Sequence, residues 1–218
     1  DTSEASAIQS ISSYDGSASD YEITGTAQEV IGAGNSVIEN DGVSRVEVTN
    51  VADASEGVSL NAYNANIDFN VSDNVSGYSA VLTTTALYSS ISYGSMPFDT
   101  VQTNLDDAES VVVTSGTATV SEASDIQDIA GYSGADSDYD ITDSAAALIS
   151  AGDHILDVDG VDIVSVNDGA VNANDGAILA SFTADVDFDV SDTAGNIAAS
   201  LQVDAAPFES GDDIDFGL

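Results

Sequence analysis

The sequence predicts a mixed α/β protein made of stacked strand–helix units in two homologous halves, a solenoid-like arrangement. Three observations lead to this prediction. Much of the chain occurs twice, short runs of alternating apolar and polar residues recur along it, and most of these runs are followed by a small polar residue and an alanine-rich stretch. Strands that alternate with helices favour parallel pairing and right-handed crossovers. Because the helices are short and the strands alternate cleanly, a pair of all-β sandwiches is the alternative.

The duplication is visible at an offset of 118 residues, where 3–48 matches 121–166 at 23 of 46 positions. After a one-residue insertion, 57–73 matches 176–192 at 8 of 17 positions. Internal repetition of this kind is typical of stacked supersecondary units. The chain therefore divides into a first repeat half, a connector or insertion, a second repeat half and a C-terminal extension, with predicted bounds 1–82, 83–109, 110–204 and 205–218.

Seven runs have the alternation and the β-branched content of strands. They are 20–24, 45–49, 66–71, 110–114, 138–142, 162–166 and 185–190.

Short helices are predicted between these runs. A Thr, Ser, Asp or Asn stands where a helix would begin, and its side chain can accept a bond from a free N–H group of the first turn. Ala27, Val30 and Ile31 then share one helical face, as do the corresponding Ala145, Leu148 and Ile149. Gly34 and Gly152 stand where these two helices would end.

The charge of the chain is its most unusual property. There are 39 acidic residues and one basic residue, Arg45, so the net charge is −38. Nucleic acid and anionic membrane surfaces are excluded as partners, because both bind through Lys and Arg. Such self-repulsion favours bound cations, of which calcium suits crowded carboxylates best. A solvated acidic surface adapted to high salt explains the same composition.

Catalytic chemistry is not expected. Cysteine is absent, which excludes disulfides and thiolate sites. The only histidine, His154, corresponds to Ser36 in the first copy, and Arg45 corresponds to Ile163. No glycine-rich phosphate-binding motif occurs. No run of eighteen apolar residues is present that would span a membrane.

Carboxylates at three places are candidate calcium ligands. "DVDGVD" has its glycine too early for an EF-hand loop, "GDDIDFG" lies near the C-terminus, and "DVDFDV" places its aspartates on one face of a strand. Stacked strands would bring such side chains to about 4.8 Å from each other, which is unfavourable without a cation. The candidates are Asp157, Asp159, Asp162, Asp187, Asp189, Asp212, Asp213 and Asp215.

The phrases "VTSGTATVSEASDIQDIAGYSG", "YDITDSAAALISAG" and "VSDTAGNIAASL" resemble repeats of very large secreted bacterial proteins, namely repeats-in-toxin adhesins and surface-layer-like proteins. This resemblance implies an extracellular, structural role at a bacterial surface. The GGxGxD nonapeptide of the repeats-in-toxin family is missing, so the resemblance does not extend to that calcium motif.

The two ends of the chain differ from each other. "SVVVTSGTAT" (110–119) precedes the second copy, whereas only "DT" precedes the first, and "VDAAPFESGDDIDFGL" extends beyond the last matched segment. We expect such ends to join head to tail by strand addition, which builds a filament, matrix or surface layer. The competing explanation is that the chain is a piece of a longer array, in which case its ends carry no meaning. The alternative is an adhesin module that binds a glycan or surface ligand through the connector, where Tyr88, Tyr93 and Phe98 are the candidate contacts.

Overall fold

The structure is a computed structural model that describes residues 1–89, 105–200 and 214–215. In these ranges it contains ten α-helices and eleven strands, and every pair of strands is parallel. The prediction of an α/β protein with parallel pairing is therefore confirmed, and the all-β alternative is wrong. The chain divides into two compact units, Asp1–Thr114 with Asp128–Ser133, and Ser115–Gln127 with Gly134–Leu218.

The first unit begins with a helix and then alternates strands with helices. Its elements are α1 (Thr2–Gln9), β1 (Tyr21–Gly25), α2 (Ala27–Ala33), α3 (Asn35–Ile38), β2 (Val43–Val48), α4 (Ala54–Asn61), β3 (Ile67–Asp68), β4 (Asn70–Asp73), α5 (Val75–Ser89) and β5 (Ser110–Val113), with a short 3-10 helix at Gly16–Ala18. One sheet has the order β1-β2-β3 and a second pairs β4 with β5. Single bridges at Ala52 and Tyr132 extend the second sheet on its two sides.

The second unit begins with an additional strand and then follows the same order of elements. They are β6 (Thr117–Ala118), α6 (Val120–Gln127), β7 (Tyr139–Asp143), α7 (Ala145–Ala151), α8 (Asp153–Leu156), β8 (Val161–Val166), α9 (Ala173–Leu179), β9 (Val186–Asp187), β10 (Val190–Ser191), α10 (Ala194–Ser200) and β11 (Ile214–Asp215), with a 3-10 helix at Gly134–Asp136. One sheet has the order β6-β7-β8-β9, and β10 pairs with β11. Val171 bridges to Val190 on the side of β10 away from β11.

Two of the predicted strands are each divided into two short strands. In 66–71, Ile67 pairs with Val46 of the first sheet, whereas Val71 pairs with Ala52 and Val111 of the second. In 185–190, β9 and β10 divide in the same way. The residues at the two corners, Phe69 and Phe188, are buried. The alternation of apolar and polar residues thus continues through a bend in the chain. The bend is recognised only from the change of pairing partners.

The first N–H groups of several helices are bound by side chains at the end of a later strand. Each of five helices donates its first N–H to an Asp or Asn that ends a later strand or follows it, which satisfies a group that the helix itself leaves free. The pairs are Ala27 with Asn50 (2.7 Å), Ala54 with Asp73 (3.1 Å), Val120 with Asp143 (3.1 Å), Ala145 with Asp168 (3.1 Å) and Ala173 with Asp192 (3.2 Å). Part of the acidic content of the chain is therefore structural.

The helices pack closely on the strands. Ala27 and Val30 of α2 are buried, as are Ala145 and Leu148 of α7, which confirms these members of the predicted apolar faces. The third member of each face, Ile31 and Ile149, is half-buried. Gly34 and Gly152 end α2 and α7 with φ of 73° and 63°, in the left-handed region that favours glycine.

Candidate assembly surface

The two repeat copies differ at the first edge of their sheets. In the second unit, β6 covers the edge of β7 in the register Thr117↔Asp140 and Ala118↔Ile141, and the Asp140 N–H donates to the Gly116 carbonyl at 2.9 Å. In the first unit, the described residues give β1 a single strand partner, β2. By the alignment, the open positions on β1 are Glu22 and Ile23. An open strand edge presents unpaired backbone groups and can template the addition of another strand.

Helix α1 is held beside this edge by one glutamine. The Gln9 Nε2 group donates to the Tyr21 hydroxyl at 2.6 Å and to the Val37 carbonyl at 3.0 Å. Gln127 makes the corresponding contacts, with the Tyr139 hydroxyl at 2.8 Å and the Ile155 carbonyl at 3.0 Å. Since the network is the same in both units, α1 and α6 occupy equivalent places beside their strands.

Two isoleucines at this end are exposed although their counterparts are buried. Ile8 on α1 is 42% exposed and Ile11 in the turn after it is 56% exposed. Ile126 and Ile129, which align with them, are 0% and 3% exposed. The local sequences "AIQSI" and "DIQDI" share three of five residues and have their isoleucines at the same places, so the spacing of the apolar residues does not distinguish the two copies. We call Ile8 and Ile11 the apolar patch.

The single arginine lies between two carboxylates on neighbouring strands. The register of β2 and β3 places Glu47 opposite Asp68. Arg45 forms an ion pair with Asp68 and lies 4.0 Å from Glu47, and the hydrogen bond with Asp68 raises the pKa of the guanidinium. In the second unit Ser165 stands opposite Asp187, and Ile163 replaces the arginine. The first unit thus has an arginine where two carboxylates face each other. The second unit lacks the arginine, and a serine hydroxyl stands there in place of one carboxylate.

The predicted calcium ligands are dispersed in the part of the chain that the structure describes. Asp157 and Asp159 are exposed in the turn before β8, and Asp162 is exposed in β8 itself. Asp187 and Asp189 are exposed on the face of the strands opposite Val186 and Phe188. Within the described ranges, no group of three His, Cys, Asp or Glu side chains is arranged to hold a metal ion. Asp215 lies in β11, and Asp212 and Asp213 lie outside the described residues. These ligands stay predictions.

The predicted ligand-binding aromatics belong mostly to the part that is not described. Tyr88 lies in α5, which extends into the predicted connector, while Tyr93 and Phe98 lie outside the described residues.

His154 lines a shallow, open groove of ≈ 450 Å³ in the second unit, together with Ser124, Asp125 and Asp143. Asp143 already accepts the Val120 N–H and the Ser144 N–H, so its two oxygens are used in holding helix starts.

In the ranges that the structure describes, no helix is both long and apolar enough to cross a membrane. Comparison of the chain with protein-family models, with curated proteins and with solved structures finds no match.

Proposed function

We propose that this protein is an extracellular structural subunit that assembles head to tail into a filament, matrix or surface layer, with cations reducing the repulsion between copies. In this proposal each half is a solenoid-like stack of strand–helix turns, and the role is not enzymatic. One observation carries it: among the described residues, β1 has no strand partner on the edge at which β7 is covered by β6.

Physical reasoning supports a strand as the missing partner. Successive strands in each unit pair in parallel at an interval of about one strand–helix turn, for example Ile23 with Val46 and Ile141 with Val164. Backbone hydrogen bonds at such an edge provide the affinity for an added strand, and the fit of its alternate side chains decides which sequence is accepted. A contact that joins two different surfaces of identical subunits repeats without limit when its rotation does not close.

The net charge of −38 sets the condition for assembly. Joining copies of a strongly anionic chain brings like charges together, and at moderate ionic strength salt largely screens the repulsion between charges more than about 10 Å apart. We therefore expect assembly to require salt or divalent cations.

Sedimentation velocity and negative-stain electron microscopy of the purified chain across calcium, magnesium and sodium series test the proposal. A peptide with the sequence of residues 110–119, which carries the segment that covers β7, is added as a competitor for the edge of β1. We expect large assemblies that the peptide disperses and that a scrambled peptide of the same composition leaves intact. A wild-type chain that stays monomeric under every salt condition overturns the proposal.

A further inference from the structure

We propose that the outer edge of β11 and the apolar patch on α1 are the two sides of the junction between copies, with Ile214 of one copy paired to Tyr14 of the next. This inference rests on the proposed function and names a second contact, at Tyr14 and α1, besides the open edge of β1.

The pairing register comes from a contact that the chain makes inside its first unit. β5 is paired on both sides: Val111 pairs with Val71 of β4 and bridges to Tyr132. In that bridge the Val111 N–H donates to the Gly131 carbonyl at 2.9 Å, and the Ser133 N–H donates to the Val111 carbonyl at 2.9 Å. A strand of this sheet is thus followed by a Tyr-containing turn of the next repeat.

β11 occupies on β10 the place that β5 occupies on β4. Val190 aligns with Val71 in the duplication, and Val190 pairs with Ile214 just as Val71 pairs with Val111. Among the described residues β10 is the only strand partner of β11. The counterpart of Tyr132 is Tyr14. A second copy that presents Tyr14 to Ile214 therefore repeats a pairing that this chain already makes.

The apolar patch supplies the hydrophobic part of the same junction. Ile8 and Ile11 lie on α1 and in the turn that leads to Tyr14; the Tyr14 N–H donates to the Ile11 carbonyl at 2.9 Å. Their counterparts are buried: Ile126 lies in α6 and Ile129 in the turn that leads to Tyr132. Two exposed isoleucines beside a backbone pairing site are suited to burial by a second copy.

The register also locates the charge repulsion. If Ile214 pairs with Tyr14, then Asp215 stands opposite Asp15, because Val112 and Ser133 hold these places inside the chain. Facing carboxylates oppose pairing unless a cation lies near them. Asp15→Ser reproduces the residue of the internal contact, and Ser retains the ability to cap the following 3-10 helix.

Sedimentation velocity of four variants over a range of protein and salt concentrations tests the junction. We expect Ile8→Asp/Ile11→Asp to raise the concentration needed for assembly by roughly tenfold or more, with an unchanged thermal midpoint. The matched control Val51→Asp/Ile163→Asp changes two other exposed apolar residues, 57% and 51% exposed, by the same charge and should assemble like wild type. Asp15→Ser should assemble at lower salt than wild type.

The fourth variant, Ile214→Pro, removes the N–H at the outer edge of β11 and should block assembly without any change on α1; it decides the matter if the double isoleucine variant does not fold. Assembly of Ile8→Asp/Ile11→Asp or of Ile214→Pro at wild-type concentrations overturns the junction, as does equal loss in the control pair. An unchanged salt dependence for Asp15→Ser overturns the register. In all these cases wild-type assembly leaves the proposed function standing, whereas a monomeric wild type overturns both.

Discussion

A glycine inside α4 gives a quantitative test of how closely the helices pack on the strands. Gly57 is buried, and a Cβ added there would lie 2.7 Å from Leu105 Cδ2 and 2.7 Å from Val71 Cγ2. The leucine can move, but Val71 is a β-branched residue in a paired strand and has little freedom. Gly57→Ala therefore forces the helix away from β4. Gly176 in α9 has the same position in the second copy, with Val190 Cγ2 at 2.9 Å.

The expected magnitude is the difference between two alanine substitutions. Gly32 in α2 has no atom within 4 Å of an added Cβ, so Gly32→Ala should only gain helix propensity, about 0.5–1 kcal/mol. Gly57→Ala gains a similar amount and loses about 1–3 kcal/mol through overpacking. Since the propensity gain is common to both, the two variants should differ by about 1–3 kcal/mol. Each kcal/mol moves a thermal midpoint by about 2–8 °C in domains of this size range.

Urea denaturation and thermal melts followed by far-UV circular dichroism measure this difference, at low salt and low protein concentration. We expect the free energy of unfolding to rise for Gly32→Ala and to fall for Gly57→Ala and Gly176→Ala. Equal stabilities of Gly57→Ala and Gly32→Ala would refute the close contact between α4 and β4. A fall for Gly57→Ala alone would refute the equivalence of the two helices.

Three further predictions concern charge and hydrogen bonding. Arg45→Ile should lower the thermal midpoint, because Glu47 then faces Asp68 without a positive charge beside them. Adding Glu47→Ser, which copies the second unit, should restore the midpoint. Failure of that rescue in thermal melts argues against the pairing of Glu47 with Asp68. Hydrogen bonds from Asn196, Thr193 and Ala173 lower the pKa of Asp192 below its usual 3.8. The stabilising effect of this carboxylate is therefore complete above the unfolded-state pKa and is lost as pH falls through the lower folded-state pKa. The free energy of unfolding should fall less steeply with acid for Asp192→Asn than for wild type, and identical curves would contradict this. The Tyr78 hydroxyl donates to the Val112 carbonyl at 2.9 Å, so Tyr78→Phe should reduce the free energy of unfolding by about 1 kcal/mol in urea titrations, and no change would indicate that water replaces the bond.

Residues that act through local geometry could be assigned from the sequence. The apolar spacing of Ala27 and Val30 predicts the buried face of α2, and the glycine at 34 predicts its end, because both depend on a few neighbouring residues. The parallel pairing followed from the alternation of strands and helices. The run 66–71 was harder: its alternation is continuous, but the bend at Phe69 depends on which strands it meets.

The candidate site shows the same division more sharply. The open edge of β1 is recognised by comparing the two copies, because β1 and β7 correspond in the duplication. Among the described residues, β7 has a strand on its first side and β1 has none. The apolar patch does not follow from it, because Ile8 and Ile126 stand at the same place in the repeat and have opposite exposure. The partners of Arg45 were likewise hidden, because the ion pair joins residues on two strands.

The sequence by itself determined the repeat, the class of fold, the helix ends and the extreme charge of this protein. These depend on local steric preferences, on periodicity and on composition, all of which can be counted along the chain. Only the tertiary structure decided which copy of an isoleucine meets water, which carboxylate faces another, and which aspartate holds the start of a helix from the next turn. Burial and electrostatic energies depend on distances between residues that are far apart in the chain, and folding alone sets those distances.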